Sequence, residues 1–455
     1  MSATIEIDQL RVGMFVHLDL RWWQHPFALS SFQISSPDQI ETIRGLGLQR
    51  LRWSPAKTMA EPAAAQASQG QPAAELGPEF TVTTTAAGTP APAEPATHPS
   101  TAASANDESA LSPAEAAQAQ HRQALAEQRA ADRLCEAQYA EAGTAWRDAT
   151  AALRQSPEVS REATVGLTRS LLSKMMVDGE MCVRVLSEAA GERSAAHALN
   201  VCVIALLMGR SFGLTEAELT DMGVGALLHD IGKLDLPERV RHPQAHFTAA
   251  EHSQYRDHVA HGVAQGRRMG LSAGALLVIA QHHEMADHSG FPQQLGLDRM
   301  SAAARIVALV NRYDNLCNPA SNGHALTPHE ALSLIFAQAR NKFDASMLNA
   351  FIRMMGVYPP GSVVQLTDDR YASVVSVNSS RPLKPRVLVA DLEVPLAQSL
   401  LVNLDAHQNL GIRRSLQPKQ LPPAVLAYLA PRPRVVYFFE PASLASHAMA
   451  AEMAA

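Results

Sequence analysis

Leu227-Leu228-His229-Asp230-Ile231-Gly232-Lys233 is the stretch that decides how this 455-residue chain is read. It ends an apolar helical run, Leu219–Leu228, and sets an imidazole beside a carboxylate at that helix's end. Adjacent helical residues point about 100° apart, so both groups reach one ion only near a helix terminus, or share a wider metal cluster. Imidazole and carboxylate together suit Fe, Mn or Zn, and a carboxylate can bridge two ions. Gly232 would let the backbone turn, aiming the Lys233 ammonium at the same spot, where a cation holds a phosphate oxygen. The plainer alternative is an Asp230 that caps the next helix beside a solvated His229.

Working outward, His197, His258 and His282-His283 stand in the same helical region. A lone helical histidine is usually a satisfied core or surface residue, but here that explanation has to hold at five separate sites. His282-His283-Glu284 follows another apolar helix, Leu276–Ala280, and consecutive histidines could each ligate a different ion of a pair. The loop Asp287-His288-Ser289-Gly290-Phe291-Pro292 is punctuated by glycine and proline and should form a stiff rim.

The remaining chain divides by composition. Residues 1–54 read as a small α+β module: Ile5, Ile7, Leu10, Val12, Met14, Val16 and Leu18 alternate around Gly13, then come Trp22, Trp23, Pro26 and Phe27, a strand at Phe32–Ile34, and a helix over 38–45. Residues 55–112 hold no Ile and one aromatic, Phe80, too little apolar surface to offset ordering, so they read as a disordered Ala/Pro-rich linker. Residues 113–159 read as a helical connector, exposed over 113–155 and able to pair with a second copy in a homodimer. Over 160–355 apolar residues recur at helical spacing, which predicts an all-helical domain and a mainly α protein. Residues 356–441 look β-rich, with a hairpin around Asp368-Asp369 and strands at Arg386–Ala390 and Arg434–Phe439, and 442–455 read as a disordered tail.

A formal net charge of −6 gives no electrostatic footprint for a nucleic-acid backbone, so a phosphate-bearing substrate would need local cations or metal. Cys135, Cys182, Cys202 and Cys317 are scattered, as free thiols in a reducing compartment would be. The start lacks a basic stretch followed by an apolar run, and the longest apolar run, near Val201–Met208, is short for a spanning helix. The expectation is a cytoplasmic protein without membrane insertion.

In order and approximate spacing, His197, LLHDIGK, His258 with Gly262, the HHE triplet and Ser289-Gly290-Phe291-Pro292 resemble the HD-GYP family of the HD superfamily of metal-dependent phosphohydrolases. Phe291 replaces the signature tyrosine. The likeness covers about 160–355, and a hairpin tail, Gly356–Asp369, extends it to about 377. Residues 1–54 look like the small N-terminal domain of unknown function often found ahead of such modules. The resemblance implies an all-helical HD-type domain that hydrolyses cyclic di-GMP to linear pGpG or GMP in bacterial signalling, with two divalent ions, Fe or Mn. Carried over residue by residue, it makes His197, His229, Asp230, His258, His282, His283 and Asn311 the metal positions. Asp230 would bridge the ions, Lys233 would contact the scissile phosphate, and Gly290, Phe291 and Pro292 would form the substrate loop.

The chain departs from the family at several points. Asn311 stands where the family has its last aspartate ligand, with Asp314 one turn on. Ala320-Ser321-Asn322-Gly323 replaces an Arg-Pro-Tyr-Arg-like run thought to engage substrate, Arg193 stands where some members have a glutamate for a third ion, and His288 replaces glycine. Two functions fit. One is an active binuclear phosphodiesterase; the other is a degenerate member that binds metal or nucleotide and acts through contacts with signalling proteins.

Overall fold

The computed structural model describes residues 3–20, 31–55, 58, 112–176, 180–186, 192–244, 246–320 and 325–442. Trp22, Trp23, Pro26, Phe27, Ser321, Asn322 and Gly323 lie outside these, as do most of the 55–112 linker and nearly all of the 442–455 tail.

The first block is an antiparallel sheet of β1 (Ala3–Glu6), β2 (Phe15–His17), β3 (Ser31–Gln33) and β4 (Arg50–Trp53) in the order β1-β4-β2-β3. Helix α1 (Pro37–Gly45) covers it through Ile40 and Ile43. The alternating run of Ile5–Leu18 is not continuous strand, because Ile7–Gln9 is a 3-10 turn and Gly13 sits at φ +95°. Its apolar residues still meet in one core.

Next come α2 (Pro113–Ala152) and α3 (Pro157–Met175). The first half of α2 is largely exposed, but its second half is not the solvated helix that composition suggests. Cys135, Tyr139, Ala142 and Ala149 recur at three-, four- and seven-residue intervals and are buried. Small side chains let α2 lie close against α3 and the core.

Strand β5 (Met181–Val185) then leads into α4 (Arg193–Ser211), α5 (Glu216–Leu228), α6 (Ala249–Arg256), α7 (His258–Met269), α8 (Ala273–Gln281), α9 (Ala302–Cys317), α10 (Pro328–Gln338) and α11 (Ala345–Met355). The Val201–Met208 run belongs to the 19-residue α4, which by length and composition alone is long and apolar enough to cross a membrane. Within the fold 72% of its apolar window is buried, and it forms the central helix of the main core.

The all-helical expectation for 160–355 fails at β5, which joins the C-terminal sheet. That sheet contains β6 (Val363–Leu366), β7 (Tyr371–Asn378), β8 (Arg386–Val389), β9 (Val402–Asn403), β10 (Ile412–Leu416) and, after α12 (Pro423–Leu429), β11 (Tyr437–Pro441). β5 lies between β7 and β11, antiparallel to both. Met-Cys-Val-Arg-Val has some strand propensity, but its partners lie some two hundred residues away, so no local pattern reveals it. The pairing is reinforced by a buried ion cluster: Glu440 accepts from Arg184 at 2.7 Å and from Arg386 at 3.2 Å.

Candidate metal centre

Every predicted histidine sits at or near a helix end. His197 is in the second turn of α4, His229 follows the last residue of α5, His258 opens α7, and His282-His283 follow α8. Such placement frees each ring from its helix's own packing and turns it toward a common point.

The Nδ1 partners settle which nitrogen faces that point. His229 Nδ1 lies 2.7 Å from Ala226 O, His258 Nδ1 2.6 Å from Tyr255 O, and His282 Nδ1 2.8 Å from Ile279 O. A carbonyl only accepts, so each Nδ1 carries the proton and each Nε2 presents a lone pair. His197 donates through Nδ1 to Asp314 Oδ2 at 2.6 Å, the carboxylate–imidazole arrangement found behind metal-bound histidine.

These lone pairs converge. His197 Nε2 and His229 Nε2 lie 3.1 Å apart, and His258 Nε2 and His282 Nε2 3.3 Å apart. Two unprotonated nitrogens facing each other repel unless a cation lies beside them. Asp230 stands between the pairs: its Oδ2 is 3.7 and 3.5 Å from His197 and His229, and its Oδ1 is 3.6 and 3.8 Å from His258 and His282. The result is two donor groups sharing one carboxylate, His197-His229-Asp230 and Asp230-His258-His282-His283. Asp230 Oδ1 and His283 Nε2 are buried without a hydrogen-bond partner among the described residues, although buried polar atoms are almost always paired. The donor set and these orphaned atoms fit a pair of divalent cations.

Electrostatics agree. Burial pushes His229 down to about 4 and holds His258, His282 and His283 below the usual imidazole range, so all four are neutral imidazoles at pH 7. Burial alone would raise Asp230, but Lys233 and the surrounding imidazoles outweigh it and keep the carboxyl ionised. Lys233 Nζ is 2.5 Å from Asp230 Oδ2 and 5.4 Å from the Tyr255 ring centre.

Gly232 has a different purpose from the one its neighbours suggested. It allows close approach rather than a special turn: a Cβ there would lie 2.0 Å from His258 O and 2.3 Å from Gly262 N. The 3-10 turn Ile231–Asp235 thus lies directly on the start of α7, bringing His229-Asp230 to His258. Trp146 of α2 braces the other side, donating from Nε1 to Leu227 O at 2.8 Å.

Phe291 of the predicted loop stacks on His283, ring centres 4.4 Å apart. Gly290 is buried where a Cβ would meet Met285 N at 2.4 Å, and exposed Pro292 completes the rim. The loop is clasped by Glu284, whose buried carboxylate accepts from Gln293 N and Leu295 N at 2.7 and 2.8 Å. His288 occupies φ +63°, a region that favours glycine, with Nδ1 3.1 Å from Gln294 O.

Asn311 borders the same cavity as His282 and His283, but its Oδ1 accepts from Asn315 Nδ2 at 2.6 Å. Asp314 does not substitute for it: its carboxylate is committed to His197, to Asn200 at 2.7 Å and to Asn318 at 2.9 Å. Asn200 and Asn318 are in turn held by the backbone of Val435 and Tyr437, leading into β11. Sequence reasoning missed this frame entirely. Its one signal was Asn200, a polar residue three positions after His197 in an otherwise apolar helix.

An HD domain family model matches residues 180–347, a span containing every residue of this cluster. The chain carries an HD domain. Ahead of it, a domain of unknown function, DUF3391, matches residues 2–164 and so extends through α2 into α3, well past the compact block ending near residue 54. The chain is similar to a cyclic di-GMP phosphodiesterase of Pseudomonas aeruginosa, 29% identical over 218 residues, 46% of this chain and 51% of that protein. It is also similar to a cyclic di-GMP phosphodiesterase response regulator of Xanthomonas campestris (30% identical, covering 33% and 40%). A 3'3'-cGAMP-specific phosphodiesterase of Vibrio cholerae is 26% identical, covering 36% and 32%. The chain thus spans about half the length, or less, of these curated relatives.

Proposed function

We propose that this protein is a binuclear metal-dependent phosphodiesterase that opens cyclic di-GMP to linear pGpG, and on to GMP, in bacterial cytoplasmic signalling. The observation that carries this reading is Asp230, one carboxylate with each oxygen facing its own group of imidazoles. The activities for which the similar proteins are named support a cyclic dinucleotide as substrate, and four buried free cysteines support a reducing compartment.

Divalent ions held there, Mn or Fe by the donor types, would supply Lewis acidity and a water nucleophile at neutral pH. The chain's own groups do the rest. Neutral imidazoles, oriented through Nδ1, keep their lone pairs inward. Lys233, kept charged by Asp230, stands ready to donate to a phosphate oxygen as charge builds there. The Glu284-clasped loop keeps Phe291 stacked against His283.

The test is metal analysis and hydrolysis on one preparation. Protein loaded with Mn or Fe is expected to hold two ions and to release pGpG or GMP from cyclic di-GMP, with 3'3'-cGAMP assayed alongside to read base preference. Undetectable turnover of either dinucleotide by fully metallated protein would refute the proposal.

One observation favours the alternative, a weakly active member acting through protein contacts: the amide at Asn311, a neutral and poorer donor than carboxylate for a hard cation. Asn311→Asp is therefore expected to tighten metal binding by on the order of tenfold, with turnover rising alongside. Unchanged affinity in a metal titration would mean that residue 311 does not face the ions.

A further inference from the structure

The cavity beside the metal cluster, about 380 Å³, is lined by two cations, Lys233 and Arg312. Lys233 is already bound to Asp230. Arg312 has no hydrogen bond, ion pair or ring contact among the described residues. Its position on α9 explains why it faces the cavity: Asn311 and Asn315, one residue before and three after, line the same wall. The next two positions, Tyr313 and Asp314, turn into the core, where the Asp314 carboxylate is fully committed to His197, Asn200 and Asn318. The one acid close by in sequence is thus unavailable to the guanidinium. An arginine that merely decorated a helix would be indifferent to which wall it stood on; this one stands beside the donor cluster.

We propose that Arg312 binds a phosphate group of the substrate in this cavity, as a second cationic contact beside Lys233. The inference rests on the phosphodiesterase reading for its substrate and adds a residue to it. A cyclic dinucleotide carries two phosphodiester groups, and one lysine shared with Asp230 cannot neutralise both. A planar guanidinium offers two parallel donors to phosphate oxygens, a geometry that lysine cannot reproduce.

Two measurements on metal-loaded full-length protein test this: steady-state hydrolysis of cyclic di-GMP, and calorimetric binding of orthophosphate. Arg312→Gln is expected to raise KM about tenfold or more with kcat within about threefold, and to weaken phosphate binding in parallel. Arg312→Lys should recover part of both, and metal content should stay at the wild-type value in each variant. If wild type turns over and Arg312→Gln keeps both KM and phosphate affinity within twofold, the assignment is wrong while the phosphodiesterase reading survives. The assignment is equally overturned if kcat alone falls, or if wild type binds no phosphate. If wild type shows no turnover yet binds phosphate in an Arg312-dependent way, the hydrolase reading fails and the anion contact stands.

Discussion

Asp230→Ala is expected to reduce bound metal from two ions to fewer than one per chain, and to lower phosphodiester hydrolysis on the order of a thousandfold or more. Both donor groups lose the same ligand at once, since Asp230 is the only carboxylate in either of them. The remaining donors are neutral imidazoles, four of them with Nε2 lone pairs in facing pairs, so nothing else in the cluster offsets a dication's charge. Lys233 worsens matters, because its ammonium would then sit beside the site without its 2.5 Å partner. Asp230→Asn separates charge from shape: it should fold like wild type and still fail to hold two ions. Metal quantified by mass spectrometry, beside turnover under metal-saturated conditions, checks both variants. Retention of two ions by either would show that the carboxylate is not the shared ligand.

Gly232→Ala should have the largest effect on stability of any single methyl addition at the site, a loss of about 3 kcal/mol or more, accompanied by loss of metal. The added Cβ would meet backbone on two sides, His258 O at 2.0 Å and Gly262 N at 2.3 Å, and backbone cannot rotate away. The turn bearing Asp230 and Lys233 would have to lift off α7, separating Asp230 from His258. Gly262→Ala is the informative contrast, since its nearest obstacle is a side-chain methyl, Ile279 Cγ2 at 3.0 Å, rather than backbone, and it should lose only about 1 kcal/mol. Urea unfolding of both variants provides the comparison; equal losses would mean that the close approach at Gly232 is relieved by some other shift.

Two parts of the imidazole cluster, His229-Asp230 and His282-His283, were legible because each follows an apolar helical run, Leu219–Leu228 and Leu276–Ala280, while His197 and His258 joined them only through the family resemblance. The helical character of most of 193–355 follows from the same spacing. Three features resisted. β5 is strand only because β7 and β11 flank it, and those partners are nearly two hundred residues or more away. Glycine 232 is a glycine because of another helix's backbone, which no neighbouring residue reveals. Asp314 sits one turn from Asn311, where spacing alone makes it a substitute ligand. Its true partners, Asn200 and Asn318, depend on Val435 and Tyr437, far along the chain. The exposed helix expected over 113–155 misled for a related reason. Alanine is compatible with both solvent and close packing, and only the position of α3 decides.

The frame behind His197 bears on where a working fragment could be cut. Residues 180–347 contain all six side chains of the two donor groups, so a clone trimmed to that span would keep every donor. It would lack Trp146, which braces Leu227 O from upstream, and Val435 and Tyr437, whose backbone steadies Asn200 and Asn318 from downstream. β5 would lose both its neighbours, and Arg184 would be left in the cut fragment without Glu440. For this molecule the unit of homology and the unit that holds its shape have different borders.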